Sequence, residues 1–184
     1  MRLFVALTPS AAALDRLHRA VAPVRARAGG RALRWMPREE WHITLLFLGQ
    51  VPDPEVPGLR DLLGREVAGR RAMRLALRGA GTFPADAARG RVLWAGLDGD
   101  LEPLADLADA LRSAAEAHGV PIEARPFVPH LTLARSRGPH DLTGPRDELA
   151  AMTGSPWRAG EVELVCSRAG DGPRYRTLAT WRLT

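Results

Sequence analysis

Two short stretches, His42-Ile43-Thr44-Leu45 and His130-Leu131-Thr132-Leu133, repeat one pattern, and they constrain this chain more than any other feature. Each sets a histidine, an apolar residue, a threonine and a leucine in a segment rich in strand-forming residues. Side chains on a strand alternate faces, so His and Thr share one face while the apolar residues share the other. The apolar face anchors in a core. The polar face is a pair of hydrogen-bonding groups held roughly 7 Å apart on a rigid element. Two such strands facing each other present two imidazoles and two hydroxyls to one cleft.

The rest of the chain alternates strands and helices around these motifs. Leu3 to Leu7 reads as a buried strand, and Thr8-Pro9 as the N-cap and first residue of a helix with Leu14, Leu17, Val21 and Val24 on one stripe. Pro23 is expected to kink or shorten that helix, and Gly29-Gly30 to end it. An extended piece, Ala32 to Trp35, leads to the first motif strand, Trp41 to Leu48, closed by Gly49. A second helix follows Asp53-Pro54 with Val56, Leu59, Leu63 and Val67 inward. Met73 to Phe83 and Val92 to Leu97 form a hairpin. Asp98-Gly99-Asp100 opens a third helix carrying Leu101, Leu104, Leu107 and Leu111, with Gly119 just beyond its end. The proline-rich stretch Pro121 to Pro129 delivers the second motif. A weaker helix is expected within Gly138 to Met152, interrupted by Gly144-Pro145, and two long strands, Trp157 to Arg168 and Tyr175 to Leu183, around a turn Gly170-Asp171-Gly172-Pro173.

Each motif thus precedes a helix and a strand pair, an internal pseudo-repeat. The expected fold is α+β: two pseudo-symmetric lobes, antiparallel sheets lining a central groove with helices on the outer faces. No low-complexity linker separates the halves, so residues 1–184 are expected to form a single domain of two interlocked lobes, with the motifs facing across the groove.

Composition adds less. The net charge of +5 comes from 26 basic residues against 21 acidic, and every basic residue is arginine. Arginine's planar fork matches phosphate, but a chain rich in Ala, Arg, Gly and Pro without lysine reads first as codon bias of a GC-rich genome. The single Cys166, in a Val/Leu run, is expected to be a buried small hydrophobe and rules out an internal disulfide. No secretion signal and no apolar run of membrane-spanning length is present, so a soluble, cytoplasmic protein is expected.

Among five histidines, His18, His118 and His140 read as surface or structural residues. His42 and His130 do not, because the motif recurs at matched strands. A metal site is not expected: no Cys or carboxylate sits at ligand spacing, and neither H-E-x-x-H nor C-x-x-C occurs. No serine or cysteine nucleophile stands in an elbow. Two proton-transfer groups and two hydroxyl donors suit acid–base chemistry on a phosphate, without metal, cofactor or covalent intermediate. The symmetry of the motifs leaves open which histidine donates.

On these residues the chain resembles the 2H phosphoesterase superfamily, specifically the bacterial and archaeal RNA 2′,3′-cyclic phosphodiesterases, long called 2′-5′ RNA ligases. The resemblance spans nearly the whole chain, from Arg2-Leu3-Phe4-Val5-Ala6-Leu7, through Trp41 to Gly49, Val92 to Leu97 and Arg125 to Arg135, to Tyr175-Arg176-Thr177-Leu178-Ala179-Thr180-Trp181. It implies an enzyme that hydrolyses RNA 2′,3′-cyclic phosphate ends to 2′-phosphomonoesters, with reverse 2′-5′ ligation to a 5′-hydroxyl. His42 is then the proton donor and His130 the acceptor, and Thr44 and Thr132 donate to the non-bridging oxygens. Arg135 is a candidate phosphate clamp, although strand parity puts it on the face opposite His130 and Thr132, so that it needs a bulge or the strand's end to reach the cleft. The implied partner is RNA with a cyclic phosphate end; DNA lacks the ribose 2′-oxygen that closes the ring. No membrane partner is expected, and the chain is expected to act as a monomer. The alternatives are a related phosphodiesterase acting on a small cyclic nucleotide or a 2′-5′ linkage, and a non-catalytic RNA-binding protein. Phe47 and Phe127 are read as core aromatics rather than base platforms, and nothing in the sequence requires Arg174 or Tyr175 at the site.

Overall fold

Leu3 to Leu7, the first apolar run, are all buried in strand β1 (Arg2–Leu7) of the computed structural model, which describes residues 1–168 and 173–184. Helix α1 (Ala11–Ala26) turns Leu14, Leu17, Val21 and Val24 inward. It begins later than Thr8-Pro9 suggests because Ser10 caps it, its hydroxyl accepting from the Ala13 N–H at 3.2 Å. The Thr8 hydroxyl donates instead to Glu163 across the sheet. Pro23 does not end the helix, which continues to Ala26. A short helix α2 (Ala28–Arg31) and strand β2 (Arg34–Trp35) lead to β3 (Ile43–Gln50). Helix α3 (Val56–Val67) buries Val56, Leu59, Leu63 and Val67. Strands β4 (Met73–Phe83) and β5 (Gly90–Gly99) form the hairpin, and α4 (Leu101–Ala117) buries Leu104, Leu107 and Leu111. Strand β6 (His130–His140), helix α5 (Thr143–Leu149), β7 (Trp157–Ala159), β8 (Glu161–Ser167) and β9 (Tyr175–Arg182) complete the order.

Two expectations for the second half are corrected. Gly138-Pro139-His140 do not start a helix; they extend β6, whose His140 pairs with Gly90, and the helix is confined to Thr143–Leu149. Pro145 lies in its first turn, where a missing N–H breaks no intrahelical bond. Trp157 to Arg168 is not one strand either. Gly160 divides it, and the two pieces pair on different neighbours, β7 with β4 and β8 with β1. Gly170, Asp171 and Gly172 of the expected turn lie outside the described residues.

The strands join in one nine-stranded antiparallel sheet of order β7-β4-β5-β6-β3-β1-β8-β9, with β2 also on β6. The two expected sheets are thus the halves of one, four strands each along this path with β2 beside it, and a motif strand is innermost in both. They meet at a single register pair, Ile43 with Leu131, the apolar residue of each motif. Both are fully buried, which removes about 1.5–3 kcal/mol worth of side chain from water at each. The helices' apolar stripes share one core with Leu3, Val5, Leu7 and the motif leucines, so they cover the sheet face opposite the motif histidines. No helix among the described residues is long and apolar enough to cross a membrane.

Candidate active site

Pairing Ile43 with Leu131 brings the residues on either side of each into one place. His42, Thr44, His130 and Thr132 all line a single cleft of about 1260 Å³ on the uncovered face of the sheet. Ile43, Leu45, Leu131 and Leu133 are buried on the other. The alternation expected from the sequence therefore describes both motifs as far as the threonines.

Beyond them the alternation breaks, in both motifs at the same place. On β3, Val5 of β1 faces Leu46 and Ala6 faces Thr44, which leaves Leu45 as an extra residue. On β6, Leu93 of β5 faces Ala134 and Trp94 faces Thr132, which leaves Leu133 extra. Each is a β-bulge, and each puts two consecutive residues on the buried side: Leu45 and Leu46, Leu133 and Ala134. The next residue then turns to the cleft. On β6 that residue is Arg135, so the parity that set it on the opposite face is reversed by the bulge, and its side chain lines the cleft with the histidines. On β3 it is Phe47. Its reading as a core aromatic is overturned: Phe47 is 49% exposed, lines the cleft, and lies under the Arg2 guanidinium at 5.0 Å. Phe127 packs partly buried against the core, as read. Equivalent positions of the two motifs thus carry an aromatic face in one and a cation in the other.

Each imidazole is held through its own backbone. His42 Nδ1 lies 2.7 Å from the Glu40 carbonyl and His130 Nδ1 2.6 Å from the Val128 carbonyl, in both cases two residues upstream. A carbonyl only accepts, so each Nδ1 carries a hydrogen, and Nε2 is the ring nitrogen left able to take or give a proton. Aromatic rings brace both. Phe4 stacks on His42 at 4.7 Å with Tyr175 edge-on at 5.3 Å; Phe83 meets His130 edge-on at 4.9 Å with Trp94 tilted at 5.9 Å. Desolvation by these walls pushes both imidazoles below the ordinary histidine range, opposed in each by the backbone carbonyl. Arg135 pushes both down further.

Arginines rim the cleft: Arg2, Arg34, Arg125, Arg135, Arg168 and Arg174. Desolvation holds Arg135 below the usual arginine range, and the neighbouring Arg174 and Arg34 push it down further. Arg174 is partnered by Glu40 at 3.4 Å. Tyr175 and Arg174, which nothing in the sequence required here, come to the cleft because β9 runs beside β8 and Tyr175 pairs with Ser167. His18, His118 and His140 do not line it. Among the described residues no three His, Cys, Asp or Glu side chains gather into a set able to hold a metal ion. What the cleft offers is two imidazoles, two hydroxyls and a guanidinium lining one space.

The family described as the 2′-5′ RNA ligase superfamily matches residues 4–171 of this chain. The RNA 2′,3′-cyclic phosphodiesterase of Geobacillus stearothermophilus is 32% identical over 152 residues, 81% of this chain and 47% of that protein, so the chain spans about half the length of that relative. The protein of the same name from Aeropyrum pernix is 32% identical over 155 residues, covering 81% of this chain and 85% of its own. The Escherichia coli protein of that name is 33% identical over 150 residues, 78% and 76% of the two chains. Among solved structures, TT0787 of Thermus thermophilus superposes with a TM-score of 0.80 at 30% identity, covering 100% of this chain and 98% of that one. E. coli LigT complexed with 3′-AMP gives the same TM-score and coverage at 29% identity.

Proposed function

The chain belongs to the 2′-5′ RNA ligase superfamily, and on that premise we propose that its cleft opens 2′,3′-cyclic phosphate ends of RNA to 2′-phosphomonoesters by acid–base catalysis between His42 and His130. His130 Nε2 takes a proton from water, the water oxygen bonds to phosphorus, the bond from phosphorus to the 3′-oxygen breaks, and His42 gives its proton to that oxygen. An in-line displacement needs the base and the acid on opposite sides of the phosphorus, and two histidines from two different strands can stand so. Charge grows on the non-bridging oxygens as the water adds. Thr44 and Thr132 donate to them there, and Arg135 supplies the positive charge that a phosphodiester anion seeks.

The observation that carries this reading is the matched pinning of the two imidazoles. Each Nδ1 is occupied by the carbonyl two residues upstream, on strands held together by Ile43 and Leu131. A binding protein has no use for two such groups with a free Nε2 apiece.

A cleft of about 1260 Å³ rimmed by arginines and lined by Phe47 favours an oligonucleotide over a mononucleotide, since small-molecule pockets run to roughly 300–1,000 Å³. Bases stack on exposed aromatic faces irrespective of sequence. The ring exists only where a ribose 2′-oxygen closes it, so DNA is no substrate, and a cytoplasmic place of action suits an RNA substrate. One copy of the chain supplies both histidines, so a monomer suffices. With a 5′-hydroxyl in the place of water, the same pair in the same roles joins a cyclic end to that hydroxyl through a 2′-5′ linkage, the bond to the 3′-oxygen breaking as before. In water, hydrolysis dominates.

The test is product analysis on an RNA oligonucleotide bearing a 2′,3′-cyclic phosphate. Conversion to a 2′-phosphate with a free 3′-hydroxyl is expected. A 3′-phosphate product, or no turnover, overturns the reading.

A further inference from the structure

The reaction needs the two histidines to differ, yet their backbone anchors and aromatic braces are nearly the same. The charged groups around them are not. Facing His130, the charge that counts is Arg135 of its own strand. Facing His42 are His130 and Arg135 from β6 and Glu163 from β8. From β9 comes the edge of the Tyr175 ring, a phenol that burial pushes up and keeps neutral. From the turn before β3 comes Glu40, whose carboxylate is engaged by Arg174. Phe4 from β1 brings no charge.

Glu163 has the geometry of a deliberate neighbour. It lies in one row across the sheet with Thr44 and Ala6: Thr44 pairs with Ala6, and Ala6 with Glu163, so all three point to the cleft side. The middle member is an alanine, which leaves little between the carboxylate and the motif. Both oxygens are fixed by neutral donors, Oε2 by the Thr8 hydroxyl at 2.8 Å and Oε1 by the Thr177 hydroxyl at 3.1 Å. Among the described residues it makes no ion pair, in a chain with 26 arginines. Hydroxyls hold a carboxylate in place without cancelling its charge.

We propose that Glu163 is a positioning residue for the acid–base pair, its fixed negative charge helping to hold on His42 the proton that goes to the leaving oxygen, with His130 as the base. The assignment rests on the cyclic-phosphate reading above. Burial, His130 and Arg135 all drive the proton off His42, and Glu163 opposes them through space. His130 has no such counter-charge.

The test is the pH profile of kcat/KM for Glu163→Gln on cyclic-ended RNA, beside the wild type and Glu163→Asp. Glutamine keeps polar contacts to both threonines and removes only the charge. On the alkaline limb the rate depends on placing a proton on His42, whatever the order of titration. On the acid limb it depends on taking one from His130 while His42 stays protonated. E163Q should therefore lose about three- to tenfold on the alkaline limb and superimpose on the wild type on the acid limb. E163D should recover part of the loss. Superposition on both limbs overturns the proposal, and so does a gain on the acid limb with the alkaline limb unchanged, which would make His130 the donor. A wild type without turnover defeats the functional reading instead. Glu163 is then decided by ring NMR, with the His42 signal assigned through His42→Gln. A His42 midpoint lowered in E163Q with His130 unmoved supports the proposal, and an unmoved His42 overturns it.

Discussion

Gly81 shows how tightly the wall behind His130 is built, and replacing it with alanine gives a prediction with both a structural and a kinetic side. Gly81 on β4 faces Trp94 on β5, and the indole lies across the glycine. A Cβ at this position would fall 2.2 Å from both Cη2 and Cζ2 of that ring. Non-bonded carbons rest at about 3.5–4.0 Å, so the indole must retreat by about 1.3–1.8 Å. Its neighbours are Phe83 at 5.3 Å and His130 at 5.9 Å, and Trp94 also faces Thr132 across the ladder. Overpacking of this kind costs about 1–3 kcal/mol, or roughly 3–10 °C in melting temperature for a chain of this size. A displacement near 1 Å at His130, the proposed base, should cost kcat about ten- to a hundredfold, with KM changed little because Arg135 is untouched. Gly138→Ala is the control, since its added Cβ meets nothing within 4 Å. Thermal unfolding by circular dichroism and steady-state kinetics on a cyclic-ended oligonucleotide read both sides. A Gly81→Ala protein that melts within about 1 °C of the wild type and keeps its full kcat would refute the reasoning.

Arg135→Gln should raise KM about ten- to a hundredfold, the worth of a hydrogen bond to a charged group, while the melting temperature stays close to that of the wild type. Unchanged KM would remove Arg135 from the phosphate contact. The two histidines also link stability to pH. Both have folded-state values lowered below those of the unfolded chain, so above about pH 6.5 neither state is protonated and they cost nothing. As the pH falls through that value the unfolded chain takes up protons first and stability is lost, until the folded histidines are protonated too. The melting temperature should therefore drop between pH 7.5 and 5.5, and drop less in a His42→Gln/His130→Gln double variant. Asp98 and Asp141, lowered by their hydrogen bonds, act only at more acid pH and do not confuse this window.

The period-two and helical patterns carried most of this molecule because they report one-dimensional facts: which residues of an element go inward. Leu14, Leu17, Val21 and Val24, or Val56, Leu59, Leu63 and Val67, state their helices outright. The motifs state their strands equally well, up to Thr44 and Thr132. The bulge after each threonine was hidden, since it is a property of two strands in register, and neither Leu45 nor Leu133 looks different from its neighbours. That single unseen device decided two residues at once, bringing Arg135 to the cleft and taking Phe47 out of the core. Pairing partners were hidden for the same reason. Trp157 to Arg168 reads as one strand because both pieces are apolar, and only the sheet order shows that they belong to different neighbours. Glu163 could not be singled out from the sequence either, because its place beside Ala6 and Thr44 depends on three strands and its lack of an arginine partner depends on all of them. Ser10 displaced Thr8 as the cap by a local choice: the Thr8 hydroxyl had a carboxylate to reach.

Turnover of cyclic-ended RNA by the wild type, His42→Ala and His130→Ala, each with and without EDTA, bears most directly on the claim that two imidazoles do the chemistry. Each variant should lose at least about a hundredfold in kcat/KM while keeping its fold, and the wild type should be indifferent to the chelator. Turnover retained in either single variant, or wild-type activity lost on chelation, would contradict it.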